Sequence, residues 1–396
     1  MTRILSSAFV LVCIAGSFAH AATEVVLWHS YRADEKKALE QVVAKFNAES
    51  ADVKVKLLPI PYDAFADKIT AAVPLGKGPD LFIFANNQVG DWAEAGILEP
   101  VEFFADEALL EQYFSPTVDA LVYKQRLYGL PLAFKSTALV YNKALIKSAP
   151  KTTDELIAVA EKLTDRAAGR YGLVYENSDF YFHAPWFFGF GGTVLGADGK
   201  PHLVTDGAAA SMVFARDLAR RALPEEVTSA VVSTLFNEGK AAMVINGPWF
   251  FGEIKQGLKY GVALLPTVSA TGKQAAPFLG SEALMLSAKS AHKKEAFAAM
   301  RFLAGSESAA TRLSVGHQTV ANVAAYDSAA GREFAMATLR AQMERATPMP
   351  NLPAMRHVWG PMNSALTSVL TQGVDPKAAL VTAQQRVESS IQKSGR

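Results

Sequence analysis

The chain has 396 residues, half of them hydrophobic, with 39 Lys and Arg against 38 Asp and Glu. That balance argues against a nucleic-acid binder and against a polybasic membrane surface. A single cysteine, Cys13, excludes a disulfide-stapled scaffold, so stability must come from buried apolar cores, which a chain of this length can build.

In chain order, the first segment has the marks of a secretory signal peptide: Arg3, the apolar stretch Ala8–Ala15, and Ser17-Phe-Ala-His-Ala21 with an Ala-x-Ala site. Cleavage is expected after Ala21, which makes residues 1–21 the signal peptide and places the mature chain in the periplasm. The apolar run is too short to span a bilayer, and no later run reaches that length, so no membrane span is expected in the mature chain. Val12 stands where a lipoprotein signal wants a small residue before Cys13. Loss of Arg3 leaves 38 basic against 38 acidic residues, a neutral protein.

Glu24–His29 reads as a buried strand. Ala33–Asn47 follows as a helix with apolar residues at Ala38, Leu39, Val42, Val43 and Phe46. Val53–Leu58 alternates as a strand and ends at Pro59 and Pro61; Tyr62–Val73 is helical; Gly76-Lys-Gly-Pro-Asp80 turns into the apolar strand Leu81–Ala85. Strand, helix, strand, helix, strand is the pattern of a parallel sheet. The pattern then restarts with strands at Leu127–Ala133 and Ala138–Asn142. A helix capped by Thr153 comes next, with Asp154 and Glu155 in its first turn, and then a strand at Tyr171–Tyr175. Thr193–Val204 contains the hairpin signal Ala197-Asp-Gly-Lys200. Further strands are expected at Ala241–Ile245, Tyr260–Leu265 and Glu282–Ser287, and a helix at Lys293–Ala304. Helical periods dominate from Glu333 on, broken by Thr347-Pro-Met-Pro-Asn-Leu-Pro353. The result is two α/β units without a flexible linker, an arrangement suited to hinge closure.

Enzyme signatures are missing. The sequence has no G-x-S-x-G elbow, no H-E-x-x-H and no phosphate-binding Gly-x4-Gly-Lys loop. Gly189-Phe-Gly-Gly192 lacks the last glycine of a dinucleotide loop and follows an aromatic segment rather than a strand. His29, His183, His202, His292, His317 and His357 have no metal-ligand spacing. No catalytic residue, metal or cofactor is therefore expected. The many carboxylates leave a glycosidase pair open, but nothing locates one.

What the chain does carry is aromatics at breaks, and the clearest is the strand that stops at Asn246-Gly-Pro-Trp249. The carboxyl edge of an α/β sheet is where ligands bind. Tyr31 follows the first strand, Phe84 ends the third, Asp179–Phe188 is a dense aromatic cluster around Pro185, and Trp359 follows the Pro-rich run. Sugar rings present an apolar C–H face that stacks on such rings, while their hydroxyl edges need mixed donors and acceptors or forked donors. Arg32, Asn86, Asn87, Gln88, Asp179 and Asn363 are of that kind.

These residues resemble the extracellular solute-binding proteins of sugar ABC importers, and most of all those that bind maltose and maltodextrin. Matching blocks run over essentially the whole mature chain: Gly78-Pro-Asp80, Ala95-Gly-Ile-Leu98, Val140-Tyr-Asn-Lys143, Phe236-Asn-Glu-Gly239, Ile245-Asn-Gly-Pro-Trp249, Tyr260-Gly-Val with Leu265-Pro-Thr267, and Met349-Pro-Asn-Leu-Pro353 with Trp359. The resemblance implies a two-lobed periplasmic-binding-protein fold of type II. One lobe would comprise 22–133 plus 284–328, the other 138–278 plus 333–396, with hinges near 134–137, 279–283 and 329–332. It also implies stacking by Phe84, Tyr181, Trp249 and Trp359, and polar contacts from Arg32, Asn87, Gln88, Lys135 and Asp179. The expected role is a monomer that binds a sugar in the interlobe cleft and hands it to the permease and ATPase subunits of an importer. The pattern departs at four places. Asn87-Gln88 replaces an Asp-Arg pair, Lys135 replaces a glutamate, Arg32 stands near an acidic position, and Phe84 replaces a tryptophan. These changes rewrite the set that reads hydroxyls. Two other readings stay open: a binder of an anionic or polyol solute, for which Arg32 and Lys135 would supply charge, and a secreted carbohydrate-active enzyme.

Overall fold

The computed structural model describes residues 22–394 except Ala197. The signal peptide and Cys13 lie outside the described residues. Among the described residues no helix is long and apolar enough to cross a membrane.

The first unit is built as the sequence pattern predicts. β1 (Thr23–His29), α1 (Ala33–Glu49), β2 (Val53–Pro59), α2 (Tyr62–Ala72) and β3 (Leu81–Ala85) alternate. β1 lies between β2 and β3, parallel to both, with Val25 opposite Val55 and Leu27 opposite Leu81. α3 (Val89–Glu94) and the short β4 (Leu98–Glu99) follow, and β5 (Val122–Tyr123) and β6 (Arg126–Leu127) form a separate hairpin. β7 (Leu130–Lys135) returns to the first sheet.

β8 (Ala138–Asn142) opens the second sheet, with β9 (Tyr171–Val174), β10 (Ala241–Asn246) and β11 (Tyr260–Ala263) in the order β11-β8-β10-β9. β10 runs parallel to β9 and antiparallel to β8. β12 (Phe278–Ser287) then brings the chain back, antiparallel to β3, β4 and β7, and β13 (Thr347–Pro348) adds to its start. β12 begins four residues before the strand expected at Glu282. Gly280 lies in this early part, where a Cβ would stand 3.1 Å from Met349 Cε.

One local expectation is corrected. The helix expected after Thr153 starts at Thr153, and its cap is Thr152, whose hydroxyl accepts from Glu155 N. The turn signal within 193–204 does close a short hairpin: Leu195 bridges Pro201 antiparallel, Gly196 N donates to Lys200 O and His202 N to Val194 O. The aromatic run around Pro185, for which the sequence pattern named no element, is a helix, Phe180–Gly189, with the proline inside it. Phe180, Ala184 and Phe187 enter one core, while Phe182 and Trp186 enter another. Such a helix is apolar all round and has no polar face to reveal its period, and its burial outweighs the amide that proline removes.

Gly78-Pro-Asp80 has a structural use. Asp80 accepts from Val26 N at 2.9 Å and from Ser290 Oγ at 2.6 Å, so one carboxylate ties β1 to the turn after β12. Asp80→Ala leaves the Val26 amide without that partner and should cost about 1–3 kcal/mol in chemical denaturation. Hydrogen exchange at Val26 no faster than in the wild type would contradict this assignment.

Candidate functional site

The candidate residues follow the carboxyl ends of strands in both sheets. Tyr31 and Arg32 follow β1, Asn87 and Gln88 follow β3, and Lys135 ends β7. In the second unit Asp179 and Tyr181 follow β9, and Trp249 follows β10. The two edges meet: Arg32 pairs with Glu253 at 3.0 Å, and Lys135 Nζ stands 5.8 Å from the Trp249 ring centroid.

The Asn-Gly-Pro-Trp break is explained by its own atoms. Asn246 Oδ1 accepts from Gly247 N, and Pro248 opens a 3-10 turn, Pro248–Glu253. A Cβ on Gly247 would lie 2.1 Å from the Trp249 indole, so the ring folds back over a position that only glycine leaves open. Asn237, from the Phe236-Asn-Glu-Gly block, fixes the far end of this turn by donating to Glu253 O and accepting from Lys255 N.

The aromatic set is partly reordered. Phe84 is 6% exposed and sandwiched between Phe65 and Tyr62, at 5.1 and 5.3 Å between centroids. Tyr62 is 60% exposed, so it presents the open ring face on this side. Sequence reasoning placed Tyr62 only as the start of a helix, although it follows a strand end in the same way as Tyr31. In the second unit Tyr181 lies 6.1 Å from Trp249 and stacks on Phe278. Trp359 packs against Phe180 and Phe278. Among the described residues, the Tyr181 hydroxyl and Trp359 Nε1 are buried donors without a hydrogen-bond partner.

Several polar candidates hold structure. Asp179 caps the helix Phe180–Gly189 by accepting from Tyr181 N, and Asn363 Oδ1 accepts from Phe180 N. Burial raises the Asp179 pKa. Asn86, read with the polar set, is fully buried, donating to Met349 O and accepting from Ser281 N. That clamp fixes the 3-10 turn Asn86–Gln88, which leaves Asn87 and Gln88 partly exposed at its end.

The charges differ most from expectation. Lys135 Nζ contacts Glu35 at 2.6 Å and Glu282 at 3.5 Å, and Tyr31 donates to Glu282 at 2.6 Å. Burial lowers the Lys135 pKa, but the two carboxylates outweigh it and leave the ammonium's pKa raised. Burial, with repulsion from Glu35, raises the Glu282 pKa against the pull of Lys135 and Tyr31. Both cations expected to attract an anion are thus paired, and the adjoining Glu176 and Asp179 add negative charge. The reason for an anionic solute is removed. Glu35, Glu176, Glu253 and Glu282 were all missed in the sequence. Glu282 alone left a trace there, as a lone charge in an apolar strand.

The bacterial extracellular solute-binding protein family model matches residues 30–310. A maltotriose-binding protein of Pyrococcus abyssi is 28% identical over 91% of this chain and 80% of its own length. A galactooligosaccharide-binding protein of Bacillus subtilis is 30% identical over 93% of this chain and 90% of its own. Among solved structures, the maltose/maltodextrin-binding domain of Bdellovibrio bacteriovorus bound to maltotriose superimposes with a TM-score of 0.86. It is 27% identical, with 93% of this chain and all of that chain covered.

Glu176 carries a measurable consequence of the acidic edge. Burial, then the Asp179 carboxylate, push its pKa from 4.5 to about 6, against Ser229 and Arg32. A carboxyl whose pKa rises on folding favours the folded state below about pH 4.5, and that advantage is lost as pH rises through about 6. Glu176→Gln should remove this dependence. After allowance for solvent screening, the variant should gain about 1 kcal/mol over the wild type between pH 4.5 and 7 in urea unfolding. Parallel stability curves for the two proteins would show that Glu176 titrates normally.

Proposed function

Since this chain belongs to the bacterial extracellular solute-binding proteins, we propose that it is the carbohydrate-binding component of an ABC importer, holding a maltodextrin-like oligosaccharide or a related sugar between its two α/β units. The observation that carries this reading is the set of ring faces gathered where the two sheets' edges meet: Tyr62 from the first unit, and Tyr181 and Trp249 from the second. Sugar C–H faces stack on such rings, and partly exposed Asn87 and Gln88 with the half-buried carboxylates offer partners to hydroxyls.

The lobes in this reading are 22–133 plus 284–328 and 138–278 plus 333–396, with hinges near 134–137, 279–283 and 329–332. Support comes from Ser136 and Thr137, the two residues between β7 of one sheet and β8 of the other. Closure over the ligand follows only if the sugar binds the closed form better than the open one. The closed monomer then docks on the membrane permease and its ATPase subunits, after export to the periplasm with loss of residues 1–21. Family membership supports a binding protein rather than an enzyme.

The relatives differ in the sugar their names state, so the test uses both classes. In a thermal-shift screen of residues 22–396, maltotriose or a galactooligosaccharide should raise the melting temperature by mass action. Trp249→Ala should weaken that sugar ten- to hundredfold in calorimetry, the loss of about 1.5–3 kcal/mol of apolar burial. Unchanged affinity in this variant would remove Trp249 from the site, and no shift with any neutral sugar would remove the function.

A further inference from the structure

Lys135 is held as few surface lysines are. Its ammonium touches Glu35 on α1 and Glu282 on β12, and the three side chains are only 13%, 11% and 14% exposed. The carboxylates are themselves fixed: Gln318 Nε2 donates to the same Glu35 oxygen at 3.2 Å, and Tyr31 to the same Glu282 oxygen. All these groups belong to the first sheet or its covering elements, so none of the polar partners in the trio is supplied by the second unit. Tyr31 and Trp249 ring centroids both lie 5.8 Å from the nitrogen. An ammonium has three N–H donors, and two carboxylates engage two of them. A third partner has to fit beside two ring faces.

We propose that Glu35 and Glu282 are specificity-determining residues that cancel the charge of Lys135, so that it donates to a neutral sugar hydroxyl and does not recruit carboxylated sugars. This rests on the reading of the meeting edges as a sugar site. A bare lysine between two aromatic rings attracts carboxylate or phosphate as a point charge. With two carboxylates in contact the trio carries a net negative charge, and an incoming anion meets repulsion at close range in a poorly solvated place. The N–H remains available, because neutralisation by neighbours removes the field and not the donor. The substitution of Lys for the family's expected glutamate is thereby accommodated without changing the class of ligand.

Calorimetry on wild type, Glu282→Gln and Glu35→Gln tests this. The probes are two pairs: maltotriose with maltotriuronate, and galactotriose with trigalacturonate, each acid carrying a carboxylate on every ring. The wild type should prefer the neutral member by at least about a hundredfold. Each Gln variant should narrow that preference by about tenfold or more, roughly one charge-assisted hydrogen bond, and added salt should reverse the gain. Adding Lys135→Met to either variant should restore the preference. The two single variants remove different partners of the ammonium, so a folding defect in one leaves the other informative, with melting temperature as the check. A preference unchanged in a folded variant overturns the proposal while the sugar function stands. A wild type that binds neither neutral trisaccharide overturns both.

Discussion

Two residues, Ser136 and Thr137, separate the last residue of β7 from the first of β8. Three virtual bonds of extended chain reach about 10 Å, so two sheets joined this way must stand edge to edge. That constraint places everything else. β7 ends at the joint, and Lys135 with it; β10, hydrogen-bonded to β8, ends beside it and delivers Trp249. The carboxyl ends of β1 and β3 lie in the same sheet as β7, which brings Tyr31, Arg32, Asn87 and Gln88 to the same line. A short crossing thus brings ordinary strand ends of two sheets together in one place.

The electrostatics of that line divide by burial. Buried ion pairs are poor stabilisers, because desolvation offsets their attraction, yet removing one partner leaves an uncompensated charge. Lys135, Glu35 and Glu282 are therefore better understood as positioning devices than as contributors to stability. Their rigidity comes from Tyr31 and Gln318, which take up remaining acceptor capacity. Ala33, next to Arg32 and two residues before Glu35, adopts φ +46. A left-handed alanine costs roughly 1–2 kcal/mol, and it stands where α1 must turn Glu35 inward.

Much of the architecture was legible because each clue was local. Continuous apolar strands and 3.6-residue periods gave β1 to β3 with their helices, and Asn246-Gly-Pro-Trp249 marked its own break. The helix Phe180–Gly189 was not legible, since a segment buried on every side has no polar stripe and its proline argued against it. The site divides the same way. Trp249 and Tyr31 announce themselves as rings after strands, and Tyr62 could have been read by that rule. The partners of Lys135 could not: Glu35 is 100 residues away in sequence, and Tyr31 reaches Glu282 across 251. Phe84 was read as a platform from its place at a strand end, but a strand end does not tell which ring lies outermost. Tyr62, arriving from another element, covers it.

These distinctions bear on what would drive the proposed closure. Contacts between the two units near the joint include Arg32 with Glu253 and Lys135 over Trp249. Arg32 is 63% exposed, so its pair contributes about 0.2–1 kcal/mol. The cation–π contact adds about 0.5–2 kcal/mol. Moving a two-state equilibrium from mostly open to mostly closed takes about 5.5 kcal/mol. The ion network supplies nothing beyond that cation–π contact, because the polar partners of Lys135 all lie on its own side of the joint. In the proposed closure the remainder comes from a ligand that touches both units at once, and Tyr62 on one side with Tyr181 and Trp249 on the other are the rings proposed to meet it.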